Sequence, residues 1–240
     1  MIILNARATD NAALNESVRN AKEDCEIYGC LGERFIGTGL SDKTVRIKGI
    51  PGNALGAYLN GAKIYVDGNA QDAVGDTMNC GEIVINGSAG DAPGYAMRGG
   101  KIYIRDNAGY RAGIHMKEYD GKFPVMIVGG RCGSFMGEYQ AGGLIVVLGL
   151  NKDGKRIVGN FPCAGMHGGK VLLRGDASGV RFPDKVTARR ADREDLLSAE
   201  SYIREFCEAF RMNADEILSS PFTVVTPDSA NPYKRMYVEN

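Results

Sequence analysis

Few residues in this chain of 240 have types that could do chemistry: two histidines, His115 and His167, six cysteines, and scattered carboxylates. Two histidines joined by another His, Cys or carboxylate could hold zinc, but each lies in a glycine-rich segment with no neighbouring ligand pattern. Cys25 and Cys30 fall at what reads as a helix end, and an iron–sulfur cluster would want more thiolates close by. Cys80, Cys132 and Cys163 recur near glycines, where a small half-apolar side chain suits a core. Cys207 completes the set without forming a CxxC pair. Asp72 with Asp76, or with Asp91 on the next repeat, could build an acidic groove of the kind polysaccharide-cleaving β-helices use; solvated corners are the simpler reading. The glycine runs at Gly37, Gly99 and Gly168 would cradle a phosphate only by opening a helix with the spacing of a nucleotide loop, and none does. No catalytic, cofactor-binding or metal-binding residue is assigned.

The elements that would have to position such residues are far more legible than the residues themselves. Glycine numbers 33 of 240, about twice the ordinary 7%. These glycines bracket short β-branched runs instead of clustering with serine, which argues for order. Seven runs align: VRIKG at Val45, KIYVDG at Lys63, EIVING at Glu82, KIYIRD at Lys101, VMIVGG at Val125, LIVVLG at Leu144 and KVLLRG at Lys170. Their aligned apolar positions, Val45, Ile64, Ile83, Ile102, Val125, Ile145 and Val171, step by 19, 19, 19, 23, 20 and 26. A second series keeps the same time: Gly56, Gly75, Gly94 and Gly113, then Gly137 and Gly159.

Alternating apolar residues such as Ile64 and Val66 place one face of each run inward. The connection between equivalent runs is too long for a hairpin and suits a coil that returns to start a parallel strand above the last. The pattern predicts an all-β fold, a single-stranded parallel β-helix of about seven turns with short helical caps at both ends. Glycine serves its corners by accepting φ > 0, so valine at Gly75 or Gly94 is expected to break a rung.

Thr9 or Asp10 is placed to cap a front helix carrying Leu14, Val18, Ala21 and Cys25 at helical spacing. Asp192 opens a back helix with Leu196, Leu197, Ile203, Phe206 and Phe210, followed by a short helix from about Asn213 to Ser219 and an extended, tyrosine-rich tail. The organisation expected is a strand and helix cap over 1–40, the β-helix over 41–180, and helices with the tail over 181–240. Lysine plus arginine equals aspartate plus glutamate at 29 each, so charge announces neither nucleic acid nor an anionic membrane. The longest apolar run, Leu144 to Leu150, is far short of the roughly 20 residues that span a bilayer. With unpaired cysteines and no leader pattern at the start, the expected setting is reducing and cytoplasmic.

The glycine phrases, clearest in GNALGAYLNGAKIYVDGNAQDAVGDTMNCGEIVINGSAG and again in AGGLIVVLG and GMHGGKV, resemble the GXGXG domain that closes the glutamate synthase large subunit. The closing segment SPFTVVTPDSANPYKRMY resembles that of the stand-alone form. The resemblance implies a right-handed β-helix of about seven turns and a non-catalytic brace between glutaminase-type and FMN-containing synthase-type subunits. FMN and the iron–sulfur cluster would sit on those partners, with no cofactor on this chain. The family's N-terminal cysteine nucleophile has no counterpart, since residue 2 is Ile2 and no cysteine precedes Cys25. The same motif marks the β-helix subunit of formylmethanofuran dehydrogenase and the related subunit of the formyltransferase/hydrolase complex, again scaffolds beside catalytic chains. Glutamate synthase is the leading expectation, a formyl-transfer complex the alternative, and a β-helix enzyme with an acidic groove the third. Self-association is left open.

Overall fold

The computed structural model describes residues 1–151 and 154–228. Nine strands follow one another as parallel neighbours: β1 (Ile2–Asn5), β2 (Cys25–Leu31), β3 (Thr44–Ile50), β4 (Asn60–Asp67), β5 (Cys80–Ile85), β6 (Gly100–Ile104), β7 (Pro124–Val128), β8 (Ala141–Val147) and β9 (Gly168–Arg174). The seven expected runs are β3 to β9, and β1 and β2 carry the same ladder toward the N-terminus. Each strand feeds a glycine corner, and a row of single bridging residues, Ala70, Ala89, Ala108, Cys132 and Val158, runs alongside the later rungs. The molecule is a parallel β-helix.

Two inward rows fill the interior. One runs Cys25, Val45, Ile64, Ile83, Ile102, Met126, Ile145, Val171, and the other Ile27, Ile47, Val66, Ile85, Ile104, Val128, Val147, Leu173. Every member is buried. The register corrects the sequence reading at one place, where Met126 and not Val125 stands in line with Ile102 and Ile145. A one-residue slip turns every side chain to the other face. The run VMIV is apolar throughout, so alternation could not fix its phase.

The continuity of that run has a structural cause. Val125 and Ile127, with Tyr103, Leu144 and Val146, face outward into a second apolar cluster closed by Ala199, Ile203, Phe206 and Cys207 of α2 (Arg193–Phe210). Strands covered on both faces read as unbroken apolar runs. The back helix therefore lies along the flank of the rod. The open end of the ladder is met by β11 (Phe222–Pro227), which pairs antiparallel with β9 and carries β10 (Val186–Arg190) on its far side. The described part of the tail thus seals the last rung, while 229–240 lies outside the described residues.

At the front, α1 (Asn11–Asn20) is capped as expected by Asp10, whose carboxylate accepts the Ala13 amide at 2.9 Å. Leu14 and Val18 enter the main core. The Lys43 ammonium binds the closing carbonyls of Val18, Arg19 and Ala21, where a cation suits the helix dipole. Cys25 belongs to β2 and not to this helix, because the same spacing that continues the helical face also starts the inward alternation Cys25, Ile27.

At the start of α2, Asp192 and Asp195 form a reciprocal capping box, and Arg189 donates to Asp195 at 2.7 and 3.2 Å. Burial pushes the Asp195 carboxyl up, but hydrogen bonds from Arg189 and the Asp192 amide, with the charges of Arg189 and Lys170, outweigh it and hold the group below the usual aspartate range. A depressed carboxyl stabilises the fold above its unfolded pKa, near 3.9, and that contribution is lost as pH falls through the folded value. Asp195→Asn is expected to lower stability at neutral pH by about 1–2 kcal/mol and to shallow the acid limb, as read from thermal unfolding at stepped pH. An unchanged acid limb would assign the acid sensitivity elsewhere.

Candidate functional site

The corners of the rod are built from an alternation that the glycine count only hinted at. In each, residues i, i+2 and i+4 have positive φ: Ala73 (58°), Gly75 (66°) and Thr77 (52°) in one rung, Arg111 (56°), Gly113 (70°) and His115 (56°) two rungs on, then Phe135 (63°), Gly137 (67°) and Tyr139 (52°). The alternation aims successive amides at the two neighbouring rungs. Ala73 N–H donates to Asp91 O, Gly75 N–H to Leu55 O and Thr77 N–H to Tyr95 O, at 2.7 to 2.8 Å. The central position points inward against the isoleucine row, and a Cβ at Gly113 would lie 2.4 Å from Ile145 Cδ1.

The last corner departs from the expected glycine series. Cys163, with φ 59°, takes the central place and donates its amide to Met136 O, while Gly159 follows Gly133 in the preceding row. A thiol is small enough for this pocket, and here it is fully buried.

The outer positions flank this inward place, buried at Ala54 and Thr77 but exposed at Tyr58, His115, Tyr139 and Phe161. His115 stacks on Tyr139, with ring centres 5.1 Å apart and planes 9° apart, and meets Tyr95 edge-on at 5.9 Å. Phe135 stacks on Phe161 at 5.3 Å, and the Arg111 guanidinium lies over Phe135 while pairing with Glu138 at 3.2 Å. Tyr139 is 41% exposed and Phe161 62%. Left-handed backbone costs an L-residue about 1–2 kcal/mol, and for a bulky ring it is a real outlier. Strain of this sort collects at working surfaces, and exposed contiguous aromatics mark interaction sites. Arginine and tyrosine are also the residues enriched where proteins bind each other.

The remaining chemistry-bearing residues take structural places. His115 belongs to this stack, while His167 lies in the last corner with Nδ1 3.0 Å from Gly165 O. Cys25 and Cys30 both sit on β2. Burial, with Glu33 adding to it, pushes the Cys30 thiol up to about 12. Burial alone does the same to Cys132 and Cys163. Cys80 is the exception to the core-filling expectation, since it is exposed at the head of β5. Among the described residues no group of three or more His, Cys, Asp or Glu could hold a metal.

The aspartates form a ladder of backbone acceptors. Asn53 takes the Asp72 amide at 3.3 Å, Asp72 takes that of Asp91 at 2.8 Å, and Asp91 takes that of Tyr110 at 2.8 Å. A parallel ladder runs from Asn69 to Ser88, Asn107 and Arg131. Their spacing is the rung period, so each carboxylate ties one rung to the next. Asp76 stands apart from this ladder and accepts the Thr77 hydroxyl at 2.8 Å. No helix among the described residues is long and apolar enough to cross a membrane.

Comparison with known proteins places this architecture. A protein of Methanocaldococcus jannaschii, MJ1350, described only as uncharacterized, is 40% identical over 250 residues, spanning 98% of this chain and 96% of that protein. Among solved structures, a chain of the formyltransferase/hydrolase complex FhcABCD from Methylorubrum extorquens, determined with methylofuran, superposes with a TM-score of 0.65. That match covers 85% of this chain and 73% of the other at 20% identity, a likeness of fold. The model of the GXGXG motif matches residues 6–227, nearly all of the β-helix and its closing strands, and the chain belongs to the GXGXG-motif family.

Proposed function

We propose that this chain is a non-catalytic structural subunit that holds catalytic subunits of a formyltransferase/hydrolase or formylmethanofuran dehydrogenase type of complex in register. The observation that carries the scaffold reading is the aromatic ridge of His115, Phe135 and Tyr139, held on left-handed backbone, with Tyr95 meeting His115 edge-on. A rigid rod can present such a row without an ordering cost on binding. The choice of complex is supported by the fold shared with a chain of the formyltransferase/hydrolase assembly. Catalytic groups and cofactors are then the partners' contribution. The second reading, a brace for glutaminase-type and FMN-containing subunits of glutamate synthase, draws on the front helix and the closing segment. In either complex the ridge is the face offered to a partner.

The test is affinity capture of the tagged full chain from native extract, with the partners identified by mass spectrometry. Amidohydrolase-like and formyltransferase-like chains support the first reading. Glutaminase-like and FMN-binding chains replace it with the second. The double variant His115→Asn, Tyr139→Asn is expected to reduce partner recovery at least tenfold while leaving the melting temperature unchanged or raised, because asparagine tolerates left-handed backbone. Full recovery by this variant would remove the ridge from the interface.

A further inference from the structure

We infer that the apolar groove at the C-terminal end of the rod is the docking site for the chain's own closing segment, residues 229–240. The groove is a cavity of about 590 Å³ floored by Val158, Phe161, Val180 and Phe182, with Arg181 and Asp184 among its polar lining. Phe161 leaves most of its ring exposed there, and Phe182 is half-buried. Such a floor, beside the last rung, is the kind of surface a soluble chain covers.

The occupant follows from where the chain leaves the described structure. β11 runs antiparallel to β10 with Pro227 opposite Val186, and the Asp228 amide donates to Lys185 O at 3.1 Å. The described chain therefore ends beside Lys185, next to Asp184 and Pro183, which line the groove. The sequence that follows, SANPYKRMYVEN, places Tyr233, Met236 and Tyr237 close behind that exit, with Lys234 and Arg235 between them. Extended chain advances roughly 3.3–3.6 Å per residue, so the five residues to Tyr233 cover about 17 Å, enough to cross one cavity from its lip. Pro232 rules out a helix interior and favours extended approach. Tyrosine and methionine suit an aromatic floor, and the Lys234–Arg235 pair finds Asp184 at the entrance. The inference stands apart from the choice of complex, since it uses only this chain.

A photo-crosslinking amino acid placed at Phe182 in the full-length protein tests it. Irradiation is expected to give a species at monomer mass whose crosslinked peptides join position 182 to residues 229–240. Crosslinks found only between two copies, seen as a dimer band, or only to other parts of the rod, would overturn docking in cis. A second measurement guards against a perturbing probe. Tyr233→Ser with Tyr237→Ser is expected to raise amide hydrogen exchange across 158–164 and 180–184 at least tenfold, with β3 to β6 unchanged. Equal exchange in the variant and the parent protein would count against the tail as occupant.

Discussion

Replacing Gly75 with alanine is expected to destabilise the protein by about 2–5 kcal/mol, while the same change at Gly94, one rung on, costs about 1–2 kcal/mol. Both glycines have left-handed φ, 66° and 69°, and alanine pays about 1–2 kcal/mol for that conformation at either. The difference lies in what the new methyl meets. At Gly75 its carbon would lie 2.5 Å from Ile102 Cδ1, inside a close-packed row. At Gly94 the nearest atom is Met126 Sδ at 3.5 Å, an ordinary contact. Overpacking a filled core adds roughly 1–3 kcal/mol, and only the first site suffers it. Denaturant titration of both variants measures the gap. Equal losses would mean that backbone conformation alone fixes the corner glycines.

This pair marks where sequence and structure part. The period of 19 and the glycines of every corner but the last were legible, because strands and tight corners leave strong patterns. From the pattern alone Gly75 and Gly94 are equivalent. Their difference comes from an unmarked event: the longer connection before β7 brings Met126, with its pliable side chain, to the place the neighbouring rungs give Ile102 and Ile145. The same connection misled the register by one residue. The aromatic ridge was hidden for a different reason. His115 and Tyr139 are separated by one lengthened rung, off the period of 19, and only the alternating backbone turns both outward on adjacent corners. A sequence signal did exist, in aromatic residues two positions from the corner glycines, as in Phe135, Gly137 and Tyr139, where flexible corners would favour glycine or asparagine. The acidic residues went the other way. Asp72 and Asp91 suggested a groove but serve the period itself, each bonding an amide one rung on.

Phe206→Ala is expected to cost about 3–5 kcal/mol, the range for emptying a buried aromatic site, and to loosen one half of the rod before the other. The ring is fully buried and meets Tyr103 edge-on at 5.9 Å and Phe210 at 4.8 Å. The strand floor narrows to admit it, with the place of a Cβ on Gly129 only 3.0 Å from Phe206 Cζ. Around it Ile203 and Ala199 cover Val125, Ile127, Leu144 and Val146, which would otherwise present apolar side chains to water along the middle and end of the ladder. β2 and β3 need no such cover, since their outward residues are polar, as in the pair of Lys48 with Glu26 at 2.7 Å, whereas Tyr65 of β4 packs against the edge of the cluster and bonds Glu82 at 2.8 Å. In a solenoid each rung is stabilised chiefly by its neighbours, so loss of the helix is felt first where it lies. Hydrogen exchange on the variant is expected to lose protection in β6 to β9 while β2 and β3 hold theirs. Phe210→Ala, at a half-buried ring, should cost clearly less. Uniform loss along the whole ladder would instead make the rod a single cooperative unit, with α2 contributing to all of it alike.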